Sequence, residues 1–170
     1  MFKSKYASSM LLAVAVTFFS CSAGLATESD KHSHASLAGI KGVGVVVEDL
    51  AQDAEQEAFT TQLIQADTEQ KLRAAGIRVL TDEELAKAPG MPYLYVNIFT
   101  FRDAELYAYH ITFELKQMAS LVRKPGVKQS LATWKISSGG TVGAKKLSEL
   151  RSFVKDDVDR FISVWKAANP

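Results

Sequence analysis

Apolar and polar positions alternate most strictly in Tyr93-Leu94-Tyr95-Val96-Asn97-Ile98-Phe99-Thr100-Phe101. They alternate again in Tyr107-Ala108-Tyr109-His110-Ile111-Thr112-Phe113-Glu114-Leu115. A period of two with many aromatic and β-branched residues predicts paired strands, and the break at residues 102–105 lets the second fold back on the first. Pairing across a loop of that length sets Leu94, Val96 and Ile98 against Phe113, Ile111 and Tyr109. This face is apolar and is the expected core. The other face sets Tyr93, Tyr95, Asn97, Phe99 and Phe101 against Glu114, Thr112, His110, Ala108 and Leu106, a mixture suited to a half-exposed sheet surface.

The remaining elements follow from the same reading. Residues 42–47 (Gly-Val-Gly-Val-Val-Val) predict a strand. A helix from Thr60 or Thr61 to Ala75 aligns Leu63, Ile64, Thr68, Leu72 and Ala75 on one face, with Gly76 placed as a left-handed cap. Ile77-Arg78-Val79-Leu80 predicts a second strand, parallel to the first through a right-handed crossover. Thr81 and Glu84 form a capping-box pattern that starts a short helix, which Pro89-Gly90 ends. After the turn Arg123-Lys124-Pro125-Gly126 a further strand sets Ile136 opposite Phe113, Trp134 opposite Leu115, Ala132 opposite Gln117 and Lys135 opposite Glu114. Residues 137–143 read as a flexible linker. The last helix, residues 144–168, carries the stripe Leu147, Leu150, Val154, Val158, Phe161 and Trp165. The expected fold is α+β, a two-layer sandwich with a five-stranded mixed sheet (β-α-β-short α-β-β-β-α) and two main helices packed on one face.

Composition adds a compartment. The chain has 170 residues, 47% hydrophobic and 23% charged, which suits one globular domain, residues 37–170. Lys3 and Lys5 precede an apolar run at residues 10–19, followed by small residues. Residues 1–26 therefore read as a secretory signal peptide, cleaved after Ala26 or Ala23. The run is about half the ~20 residues that span a bilayer, so no membrane span is expected. Cys21 opens an alternative, a lipid anchor, although Phe18 and Phe19 depart from a lipoprotein box. Residues 27–36 read as a tether. The expected location is the periplasm or the extracellular space, with outer-membrane anchoring if Cys21 is lipidated. Cys21 is the single cysteine, so the domain has no disulfide. Removing Lys3 and Lys5 from a net charge of +1 leaves 1 − 2 = −1. A near-neutral domain offers no net electrostatic drive toward nucleic acid or an anionic membrane.

The candidate chemistry is thin. Gly42 and Gly44 enter a strand, whereas dinucleotide-binding glycines open a helix. His32 and His34 lack the further ligands a zinc site needs. Asp82, Glu83 and Glu84 suit a first helical turn. Asp156, Asp157 and Asp159 fall mainly on the solvated flank of the last helix. Residues 137–143 lack a phosphate-binding Lys-Ser/Thr pair. His110 is expected beside Asn97, and Glu114 stands about 13 Å further along the strand, too far to orient the ring. No catalytic residue, metal or cofactor is expected.

The segments Leu72-Arg73-Ala74-Ala75-Gly76-Ile77-Arg78-Val79, Pro92-Tyr93-Leu94-Tyr95-Val96-Asn97, Tyr107-Ala108-Tyr109 and Ala132-Thr133-Trp134 resemble a family of exported bacterial proteins with no assigned function. The element order is loosely similar to small α/β domains of periplasmic translocation and envelope-assembly lipoproteins. The resemblance rests on structural motifs, so it implies a fold and no catalytic residue. The function expected is that of a non-catalytic binding or interaction module. Its candidate face is Tyr93, Tyr95, Asn97, Phe99, Phe101, His110 and Thr112, meeting an envelope protein or a second copy. The alternative is a carrier of a small apolar or lipidic ligand between sheet and helices, with Ala108, Ala119 and Ala132 as the small residues that would make room. A hydrolase is the third reading.

Overall fold

The computed structural model describes residues 33–55 and 58–170. The residues expected to form a signal peptide, with Cys21, His32 and most of the expected tether, lie outside the described residues. Its centre is a hairpin of β2 (Tyr93–Asp103) and β3 (Leu106–Leu121). The turn is tighter than the sequence suggests: Asp103 pairs with Leu106, leaving Ala104 and Glu105 as the connection, with Ala104 at φ 49°. The register therefore shifts by two residues from the expected one. Leu94, Val96 and Ile98 face Leu115, Phe113 and Ile111. A two-residue slip returns every side chain to its expected face, because the strand period is two.

The sheet has four strands in the order β1-β2-β3-β4, with β1 at Gly44–Val47 parallel to β2 and β4 at Lys124–Gly143 antiparallel to β3. The class is α+β with a mixed sheet, and among the described residues the sheet has four strands, not the expected five. Residues 77–80 make only a single parallel bridge, Val43 to Val79, with two hydrogen bonds around Val43. The reason is local. Thr81 caps the next helix, α2 (Asp82–Lys87), its side chain accepting from the Glu84 amide while Glu84 accepts from the Thr81 amide. The cap turns the chain away immediately after Leu80.

Residues 137–143, expected as a linker, are the last part of β4. Gly139 and Gly140 pair with His110 and Tyr109. A Cβ at Gly140 would lie 3.0 Å from the Tyr109 hydroxyl, tighter than an ordinary contact, and Tyr109 stacks on Phe153 with ring centres 5.6 Å apart. Ile136, Trp134 and Lys135 pair with Phe113, Leu115 and Glu114 as expected. A bulge at Thr133 then puts Ala132 opposite Lys116 instead of Gln117.

Helix α1 (Thr61–Ala74) starts at Thr60, whose hydroxyl accepts from the Leu63 amide, and ends before Gly76 at φ 83°. After a 3-10 turn (Ala144–Glu149) comes α3 (Leu150–Ala168). Both helices cover one sheet face, where Ile64, Leu72, Val154, Val158 and Phe161 join Leu94, Val96, Ile111, Phe113, Leu115 and Trp134 in one core. Burying each of these large side chains contributes roughly 1.5–3 kcal/mol. Asp67 ties the helices together, accepting from Arg151 at 2.9 Å and pairing with Lys155 at 3.1 Å. Asp157 corrects an expectation. It is buried, not solvated, and accepts from the Ser138 hydroxyl of β4 at 2.8 Å.

Residues 33–35, placed in the tether by the sequence, form a helical turn. Beyond it Leu37 is fully buried, and the Ser36 hydroxyl donates to the Thr133 carbonyl at 3.2 Å.

Candidate functional site

With α1 and α3 on one face, the opposite face of the sheet is open around Phe99, Phe101 and Leu106, while at its β1 edge Leu85 of α2 lies against Gly44, beside Tyr93. Leu50, Ala54 and Phe59 pack into the core on the helix side, where the Tyr107 hydroxyl donates to the Asp53 carbonyl at 2.7 Å. The outer face carries all seven candidate residues, and it divides into two unlike halves.

The half near β1 is stapled by charge. The Lys116 ammonium sits 3.6 Å from the centre of the Tyr95 ring. Glu114 pairs with Lys116 at 3.4 Å and with Lys135 at 3.2 Å. The Tyr93 hydroxyl lies 3.2 Å from that of Ser130. Tyr93 and Tyr95 are consequently half-buried. In the middle, Asn97 faces Thr112, not His110, as a result of the shifted register. Thr112 is buried, and its hydroxyl lies 3.3 Å from His110 Nδ1.

The half near the turn is open and apolar. Phe99 and Phe101 are each 61% exposed and Leu106 53% exposed. Phe99 faces His110, and Phe101 faces Ala108. His110 is exposed beside Gly139, which adds no side chain to the face. Leu106, which alternation sets on this face without marking it as a site residue, completes this patch. Its signal was the tightness of the turn, which a four-residue break in alternation conceals.

Among the described residues His110 has a hydroxyl neighbour, Thr112, and no carboxylate partner, while Glu114 is engaged by two lysines. Among the described residues no cluster of three or more His, Cys, Asp or Glu side chains could hold a metal. The carboxylates held below their ordinary pKa lie elsewhere. Asp67 is lowered by hydrogen bonds from Arg151, and Glu84 by its bond from the Thr81 amide and by Arg78.

Ala108 and Ala132 lie on the outer face and Ala119 in the β3–β4 ribbon, so none of the three opens a space between sheet and helices. A cleft of about 470 Å³ does exist at the other end of the molecule, between the segment around Ile40 and helix α2. Ile40, Leu80, Pro89 and Pro92 line it, with Lys41 and Arg78 among its polar groups.

No protein-family model matches the chain, and no curated protein matches it. Among solved structures it is similar to a dodecamer of a PelC point variant from Paraburkholderia phytofirmans. The identity is 18% over 75% of this chain and 91% of that chain, with a TM-score of 0.43. Likeness of that degree bears neither on this chain's fold nor on its function.

Proposed function

We propose that this is an exported, non-catalytic interaction module that binds through the outer face of its sheet, either to an envelope protein or to a second copy. One observation carries the reading: Phe99 and Phe101 project from a rigid strand with most of their surface in water. Contiguous exposed aromatics beside small and polar neighbours mark contact surfaces, because their burial against a partner is favourable and costs little side-chain entropy. The contact centre is Phe99, Phe101 and Leu106, with exposed His110 supplying a polar group at its side and buried Thr112 supporting the His110 ring from beneath. Tyr93, Tyr95 and Asn97 form the supporting border.

The test is a pair of measurements on Phe99→Ser/Phe101→Ser. Affinity capture from an envelope fraction and sedimentation velocity are compared with the unmodified protein. The reading expects the variant to lose either a captured partner or a self-associated species. Unchanged capture and unchanged sedimentation would overturn it.

A further inference from the structure

Strand β2 begins at Tyr93, opposite Lys116, while β3 continues to Leu121 and β4 starts at Lys124. Past the Met118 amide, which donates to the Gly90 carbonyl at 2.7 Å, the two strands pair, among the described residues, only with each other. They form a ribbon that runs beyond the sheet. Its tip is unusual in two respects. Val122 is 98% exposed, with Met118 and Leu131 also exposed along the ribbon. Around that apolar tip stand Arg123, Lys124 and Lys128, all exposed.

The charge is one-sided over a long stretch. From Leu115 to Ser148 the sequence holds seven cations (Lys116, Arg123, Lys124, Lys128, Lys135, Lys145, Lys146) and no Asp or Glu. The near-zero net charge of the whole chain averages this region against the acidic residues before and after it.

We infer that the β3–β4 tip docks on an anionic lipid surface, with Val122 entering the headgroup boundary and Arg123, Lys124 and Lys128 meeting lipid phosphates. An aliphatic side chain ringed by cations matches the layered chemistry of such a surface, apolar below and negative at the rim. It matches nucleic acid poorly, because the tip has no aromatic ring to stack on a base. This contact is peripheral: among the described residues no helix is long and apolar enough to cross a membrane. It is also separate from the outer-face patch, since the tip and Phe101 lie at opposite ends of the hairpin register.

The experiment is co-sedimentation of the purified protein with vesicles of phosphatidylcholine alone and with vesicles containing phosphatidylglycerol. Binding is expected to the second only, and to weaken with salt. Replacing Arg123, Lys124 and Lys128 by Gln is expected to weaken it about fivefold per residue and about a hundredfold together. In a second measurement, Val122→Trp is expected to show blue-shifted emission with phosphatidylglycerol vesicles and quenching by brominated lipid. Equal binding to both vesicle types, no effect of the triple Gln variant, or retention on DNA or polyglutamate without vesicle binding would each overturn the inference.

Discussion

The Lys116 ammonium lies 3.6 Å above the centre of the Tyr95 ring, and Glu114 holds that ammonium from the side at 3.4 Å. This contact separates the part of the outer face that is used within the fold from the part that is free. Attraction between a cation and an aromatic face contributes about 0.5–1 kcal/mol at a partly exposed site. Lys116→Ala is therefore expected to lower unfolding stability by about that amount in urea titration, and Lys116→Met by less, because the stem still covers the ring. No change in either variant would mean that Tyr95 is as available as Phe99.

Asp157, itself buried, and Ser138, half-buried, join the last helix to the edge strand through one hydrogen bond. Asp157→Ala leaves the Ser138 hydroxyl without its acceptor, and Ser138→Ala leaves a buried carboxylate with only Arg160, at 3.3 Å. Each is expected to cost about 1–3 kcal/mol. Asp157→Asn keeps an acceptor and costs less. The double alanine variant should cost less than the sum, because both changes break the same bond. Strict additivity by denaturant titration would contradict the link.

Asp67 supplies a pH dependence with a definite sign. Hydrogen bonds from Arg151, and secondarily Lys155, hold its folded pKa below the ordinary value. A carboxylate lowered on folding stabilises the fold above its unfolded pKa, near pH 4. That stabilisation fades as pH falls from there through the lower folded value. Melting temperature should therefore fall below about pH 4 more steeply in the unmodified protein than in Asp67→Asn. Parallel acid limbs would show that the contact between α1 and α3 does not depend on this charge.

Much of this fold is legible in local sequence, and the exceptions have local causes. Thr81 with Glu84, and Gly76 after its helix, act within one turn of chain, so their roles can be read directly. The two faces of the hairpin are also legible, since alternation survives a two-residue slip. The register is not, because it depends on whether the chain turns over four residues or over Ala104 and Glu105 alone. The Ser-Ser-Gly-Gly run at residues 137–140 has the composition of a linker. It forms a strand because β3 supplies partners, and the bare backbone at Gly140 leaves room for the Tyr109 ring. Asp157 looks solvated by its neighbours' polarity, and only the approach of β4 makes it buried. For the candidate site, alternation finds the face, while exposure of Phe99 and Phe101 against half-burial of Tyr93 and Tyr95 comes from Lys116 and Ser130, residues distant in sequence.

The most direct test of the account places a photo-reactive benzoylphenylalanine at position 99 or 101, and for comparison at Ser163 on the exposed surface of α3. After irradiation in cells or envelope preparations, positions 99 and 101 are expected to yield a discrete adduct, with an envelope protein or with a second copy, and position 163 none. Absence of any adduct at positions 99 and 101, or the same adducts at position 163, would contradict the claim that the open aromatic face of the sheet is the binding surface.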